Sequence, residues 1–119
     1  MKKIFLVEDE INLAEIVKDE LTETGYEVHI ANTGKDCLDK MNSIKPDLFI
    51  LDIKLPDISG LKLLEEIRVV FPDVAIMICT AFDSFKTDYE VWSAKISDYI
   101  VKPVDLDDLK RRIHWILGE

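Results

Sequence analysis

Apolar residues along this chain follow two rhythms, and the rhythms alternate. In KIFLV (Lys3–Val7), LFILDI (48–53) and VAIMICT (74–80) nearly every position is apolar. Runs this short, rich in β-branched and aromatic residues, predict strands buried on both faces. YEVHIA (26–31) alternates apolar with polar, and DYIV (98–101) is a short run broken off by Pro103; both predict strands. Between the strands the apolar spacing lengthens to that of a helix. Residues 11–25 carry Leu13, Ile16, Val17 and Leu21 at the spacing of one face, and Gly25 stops the helix. TGKDCLDKMNSIKPD sets Leu38 and Met41 at helical spacing and ends near Pro46. SGLKLLEEIRVVF turns Leu61, Leu64, Ile67 and Phe71 toward a core and stops at Pro72. A fourth helix is expected over 83–95. The fifth starts at Asp105, with Asp108 three residues on, and buries Leu106, Leu109, Ile113 and Ile116.

These are five βα units in strict alternation. Strands apolar on both faces require helices on both sides, so the expected fold is α/β, a doubly wound parallel sheet of five strands with five helices. In such sheets ligands bind at the carboxyl ends of the strands. Polar residues stand at four of those ends. Glu8 and Asp9 follow the first strand, Asp52 ends the third, Thr80 ends the fourth and Lys102 lies just past the fifth. They are expected to meet on one rim.

Composition narrows the function classes. A length of 119 residues fits one domain with one core, here taken as 1–119. No apolar run is long enough to span a bilayer. Met1-Lys2-Lys3 leads into a strand pattern and not into a signal peptide, so a cytoplasmic protein without membrane contact is expected. The net charge of −9 argues against direct nucleic-acid binding by this domain, because phosphate contacts need clustered Lys and Arg. Cys37 and Cys79 form no CxxC pair and are expected to be small buried or half-buried side chains in a reducing compartment.

The charge is placed oddly. A buried strand runs straight into Glu8-Asp9-Glu10, where crowded carboxylates repel unless a cation offsets them. One Asp inside LFILDI, taken alone, reads as a strand-end residue capping the next loop. Complementary groups at the neighbouring strand ends shift that reading. Asp9 and Asp52, with Glu8 beside them, make an oxygen-rich set suited to Mg²⁺. A Lys ammonium and a Thr hydroxyl suit the remaining oxygens of a phosphoryl group. Together these parts describe phosphoryl transfer to an Asp.

Four motifs in order carry a family resemblance: VED, LDIKLPDISG, CTA and DYIVKP. The chain resembles, over essentially its whole length, the response-regulator receiver domain, the chemotaxis-type module of bacterial two-component signalling. The resemblance implies a flavodoxin-like strand order 2-1-3-4-5. It implies Asp52 as the nucleophile that becomes an aspartyl phosphate, with Lys102 and Thr80 on the phosphoryl oxygens. It implies Mg²⁺ held by Asp9, Asp52 and the Lys54 backbone carbonyl, with Glu8 acting mainly through a water. It further implies a cis Lys102–Pro103 bond and Tyr99 as an aromatic switch that turns inward when Thr80 moves. The implied partners are a sensor histidine kinase or phosphotransfer protein, and a downstream effector on the face of the fourth helix, fifth strand and fifth helix. Such a domain is not a conventional enzyme; it catalyses its own phosphorylation and, slowly, its own dephosphorylation.

Three positions depart from the family pattern. Glu8 stands where Asp is frequent, Ser59 where Asp is common, and Lys95-Ile96 where Gly-Ala is usual. Lys95 ends a helix less cheaply than Gly, which puts the geometry of the fourth helix in question. Two other functions share part of the site. A phosphatase of the haloacid dehalogenase type also uses a strand-end Asp, but needs an acid two residues later, where this chain has Lys54. An unphosphorylated pseudo-receiver would lack site residues, and here all are present. No GxxxxGK or GxGxxG motif supports nucleotide binding. Trp92 and Trp115 are read as packing or partner-surface residues. His29 and His114 lack partners at metal-ligand spacing, and Lys110-Arg111-Arg112 is read as a solvated helix face.

Overall fold

The computed structural model describes residues 1–86 and 88–118, with Glu90 described by its backbone alone. Its elements run β1 (Lys3–Val7), α1 (Ile11–Thr24), β2 (Glu27–Ala31), α2 (Gly34–Ile44), β3 (Leu48–Leu51), α3 (Gly60–Val70), β4 (Ala75–Thr80), α4 (Tyr89–Ser93), β5 (Asp98–Val101) and α5 (Leu106–Leu117). All strand pairs are parallel, in the order β2-β1-β3-β4-β5. Side chains alternate across the sheet, as the two-residue period of a strand requires. Phe5, Phe49 and Ile78 face α2, α3 and α4; Ile4, Ile50 and Met77 face α1 and α5. The Phe5 and Phe49 rings stack with centroids 5.8 Å apart. Among the described residues no helix is long and apolar enough to cross a membrane.

The helix ends follow their expected signals. Gly25 closes α1 in the left-handed region at φ 108°, and the Asp105 side chain accepts the Asp108 N–H at the start of α5. Ser59 caps α3 by accepting the Leu61 N–H. In α1 the buried face is Ala14, Val17 and Leu21, whereas Ile16 is exposed. The expected stripe is therefore rotated: a small residue fits closely against the sheet, and the larger Ile16 is turned outward.

The fourth helix differs most from expectation. In place of a helix over 83–95, α4 spans Tyr89–Ser93; the expected segment also includes Thr87, which lies outside the described residues. Before α4 the backbone makes short turns, with Lys86 N–H to Asp83 O at 3.0 Å and Asp88 N–H to Phe85 O at 3.1 Å. Asp83, Ser84 and Asp88 are turn and cap formers, and the Asp88 carboxylate accepts the Val91 N–H at 3.4 Å. Helix formation therefore starts only beyond them. At the other end Lys95 takes the left-handed conformation, φ 63°, that the family pattern gives to glycine. Arg68 of α3 holds that peptide in place. Its guanidinium donates to the carbonyls of Ala94 (2.8 Å), Lys95 (3.2 Å), Val74 (2.7 Å) and Phe71 (3.0 Å).

Candidate functional site

The register brings the strand ends level. Val7 pairs with Leu51, Leu51 with Ile78, and Thr80 with Val101. The next residues extend the ladder: Asp52 N–H reaches Val7 O at 3.1 Å and Lys102 N–H reaches Thr80 O at 2.8 Å. Glu8, Asp52, Thr80 and Lys102 thus stand side by side on the carboxyl rim, where the strand-end pattern had placed them.

Lys102 is the centre of this group. Its Nζ donates to Glu8 Oε1 at 2.7 Å and to Asp52 Oδ2 at 2.8 Å. Glu8 is 4% exposed and Asp52 5% exposed, so both carboxylates are largely withdrawn from water. Their remaining oxygens accept backbone N–H groups, Glu8 Oε2 from Glu10 at 3.1 Å and Asp52 Oδ1 from Lys54 at 3.1 Å. Burial pushes the Glu8 carboxyl up, against the hydrogen bonds from Lys102 and the Glu10 N–H. Burial alone would lower the Lys102 ammonium; the hydrogen bonds and charges of Asp52 and Glu8 outweigh it and raise it. The ammonium therefore offsets two of the three crowded charges.

Asp9 is the third. It is exposed, and one oxygen from each of Glu8, Asp9 and Asp52 lies within 4.8 Å of the others. Three carboxylates on an open rim form a hard-oxygen set that fits a small divalent cation. An adjoining cleft of about 260 Å³ is lined by Asp9, Asp52, Lys54, Thr80, Phe82 and Lys102, among others. Lys54 is exposed at its edge, so no acid stands where a haloacid dehalogenase would need one.

Thr80 is fully buried, and the Phe82 N–H approaches its Oγ1 at 3.5 Å. Tyr99 lies inward, with its hydroxyl donating to the Phe82 carbonyl at 2.6 Å. The backbone of Phe82 therefore links the Thr80 hydroxyl to the Tyr99 ring, a connection the sequence does not announce. The Lys102–Pro103 bond is cis. Both cysteines are buried, and burial pushes each thiol up to about 12, which leaves them unreactive.

Gly60 is a site residue that sequence reasoning passed over. A Cβ there would lie 2.1 Å from the Asp52 carbonyl oxygen and 2.6 Å from Ile53 Cα. The start of α3 thus rests directly on the peptide that carries Asp52. The signal was a glycine just inside a helix, where no turn demands one. Gly60→Ala is expected to destabilise the domain by about 1–3 kcal/mol, as backbone overpacking does. Urea unfolding measures this, and an unchanged midpoint would show that the loop yields freely.

The other singled-out residues lie apart from the rim. His29 bonds Glu27 at 2.7 Å on the edge strand, a partner two residues away that metal-ligand spacing does not reveal. Lys110, Arg111 and Arg112 are all paired, with Glu20 (2.6 Å), Asp108 (3.5 Å) and Asp98 (2.9 Å) respectively.

Comparison with known proteins decides the family. The model of the response regulator receiver domain matches residues 4–114. The chain belongs to the response regulator receiver family. The receiver is thus the signalling domain of a two-component response regulator. It is 40% identical to response regulator ArlR of Staphylococcus epidermidis over 98% of this chain and 53% of that protein. It is 34% identical to LuxO of Vibrio campbellii over 88% of this chain and 23% of that protein. The receiver thus spans from about a quarter to about half the length of these relatives. Response regulator TrrA of Thermotoga maritima, solved in complex with Mg²⁺ and BeF, superposes with a TM-score of 0.88 at 40% identity, covering 98% of this chain and 99% of that one. TrrA has also been solved in complex with the histidine kinase ThkA.

Proposed function

We propose that this receiver takes a phosphoryl group from a histidine kinase, or from a phosphotransfer protein, onto Asp52. The observation that carries the reading is the Lys102 ammonium bound to both Asp52 and Glu8, beside Asp9 and Thr80 in one cleft. An Asp52 oxygen attacks phosphorus, the P–N bond to the donor imidazole breaks, and the freed nitrogen keeps the electron pair. Lys102 and the Thr80 hydroxyl then bind phosphoryl oxygens, aimed at the charge that develops there. Mg²⁺, when bound, neutralises further oxygen charge. Asp9, Asp52 and the Lys54 carbonyl would hold it, with Glu8 in reach through a water. The ThkA complex of TrrA supports a kinase partner, and the buried reduced thiols fit a cytoplasmic setting.

The chemistry is self-catalysed and stoichiometric, so the domain acts as a switch and not as a turnover enzyme. Phosphoryl contacts draw on Thr80, and through the Phe82 carbonyl they alter the bond that holds Tyr99. The readout face is α4–β5–α5, which exposes Tyr89, Trp92 and Trp115. Incubation with Mg²⁺ and acetyl phosphate is expected to add one phosphoryl group per chain by intact mass, and chelation to prevent it. Failure of the wild type to take up phosphate overturns the reading.

The metal has its own test. Mg²⁺ at ten times its dissociation constant should stabilise the fold by about 1.4 kcal/mol, a rise of several degrees in Tm. Asp9→Asn is expected to raise the metal-free Tm, by removing a crowded charge, and to remove most of the Mg²⁺-dependent rise. Equal shifts in both proteins would place the ion elsewhere.

A further inference from the structure

The loop joining β3 to α3, residues 52–59, begins with the acceptor and bears the Lys54 carbonyl. One isolated bridge, Lys54 to Ser59, is its internal pairing. Its near end rests on Gly60, whose N–H donates to Ile53 O at 2.7 Å. Its far end is moored to another element altogether. Asp57 Oδ1 accepts the Gly34 N–H at 2.9 Å, and Oδ2 accepts the Lys35 N–H at 2.8 Å. Asp57 Oδ1 also accepts the Ile58 N–H at 3.0 Å, which fixes the carboxylate against its own loop.

These two donors open α2, and α2 already has a cap of its own. Thr33 accepts the Asp36 N–H at 3.0 Å. Asp57 therefore takes first-turn N–H groups that the local cap does not reach. The fit is close as well as polar. A Cβ on Gly34 would lie 2.6 Å from Ile58 Cγ1 and 2.8 Å from its Cδ1. Glycine at position 34 lets the loop tip sit flush on the helix end.

We infer that Asp57 is a positioning residue for the phosphoryl site: its carboxylate, gripping the Gly34 and Lys35 N–H groups, fixes the loop that presents the Lys54 carbonyl to the metal. The inference rests on the phosphoacceptor reading of the rim. Direct ligands alone do not set a metal site's affinity; groups that orient them commonly change it by about 10–100-fold. A carbonyl carried on an unmoored loop would have to be ordered at each binding event, and that ordering weakens binding.

Five proteins test it: wild type, Asp57→Ala, Asp57→Asn, Gly34→Ala and Thr33→Ala. Amide hydrogen exchange without metal reads the mooring, and Mg²⁺ titration followed by calorimetry reads the positioning. Asp57→Ala is expected to speed exchange at the Lys54 and Gly60 N–H groups and to weaken Mg²⁺ binding about tenfold. Gly34→Ala, whose Cβ would wedge Ile58 away and meets Asp57 Oδ1 only at an ordinary contact distance of 3.4 Å, should do the same. Thr33→Ala removes the helix's own cap; it should lower Tm yet leave Mg²⁺ affinity at the wild-type value. Asp57→Asn keeps one acceptor oxygen and should recover part of the affinity. Unchanged loop exchange or unchanged Mg²⁺ affinity in Asp57→Ala overturns the inference. So does an equal loss of affinity in Thr33→Ala, which would reduce Asp57 to a helix cap. A wild type that binds no Mg²⁺ overturns the phosphoacceptor reading instead, while the exchange data still decide whether Asp57 moors the loop.

Discussion

Asp52→Asn is expected to abolish phosphorylation by acetyl phosphate, with no phosphoryl adduct in the intact mass under conditions that fully modify the wild type. The effect should be all or none because the rim offers no substitute nucleophile. Glu8 is buried and committed, with one oxygen on Lys102 and the other on the Glu10 N–H. Asp9 is exposed and lies outside the Lys102 pair. An Asn at position 52 has the shape of Asp but no carboxylate electron pair to attack phosphorus. The fold should survive the change. Lys102 keeps its bond to Glu8 at 2.7 Å, and the charge relief between Glu8 and position 52 opposes the loss of the 2.8 Å bond. A melt near that of wild type, together with absent labelling, isolates the chemical role. Full labelling of Asp52→Asn would move the acceptor to another carboxylate.

Much of this architecture is legible because burial writes it into composition. β3 is apolar at every position, so only a sheet covered on both sides can hold it. Parallel pairing then puts Glu8, Asp52, Thr80 and Lys102 on one rim, since each follows or ends an apolar run. What remained hidden depends on contacts that neither spacing nor periodicity records. The crowding of Glu8-Asp9-Glu10 calls for a compensating cation, but spacing does not show that Lys102, 94 residues away, bonds Glu8 directly. Lys95 argues against a clean end to α4, yet Arg68, 27 residues earlier, binds its carbonyl. The helix expected over 83–95 shrank because turn-forming side chains compete for its first backbone groups, a contest that periodicity does not register. Ile16 matches the helical spacing but faces solvent, since spacing alone does not say whether Ala14 or Ile16 meets the sheet.

The lifetime of the phosphorylated state is where this chain's own residues decide the outcome. Hydrolysis requires a water in line with the bond to Asp52. Its oxygen attacks phosphorus, the P–O bond breaks, and the Asp52 carboxylate leaves. Lys54 and Phe82 both line the cleft through which that water must come. Neither can place it. The Lys54 ammonium is a donor with no acceptor and no basicity while protonated, and it can lie against the phosphoryl oxygens. Phe82 is 41% exposed and lines the cleft. In the unphosphorylated domain the Phe82 carbonyl accepts from the Tyr99 hydroxyl at 2.6 Å, and the residue lines the cleft beside Asp52. A ring at this edge of the cleft would cover the in-line path and exclude water. Slow self-dephosphorylation is therefore expected, with decay over minutes or longer after the donor is removed. Lys54→Asn combined with Phe82→Glu supplies an amide and a carboxylate that can orient water, and should speed decay on the order of tenfold to a hundredfold. The Tyr99 bond is to the backbone of residue 82, so the double variant keeps that connection while changing the side chains that line the cleft. Decay of the wild type within seconds, or identical decay in both proteins, would show that these two side chains do not guard the site.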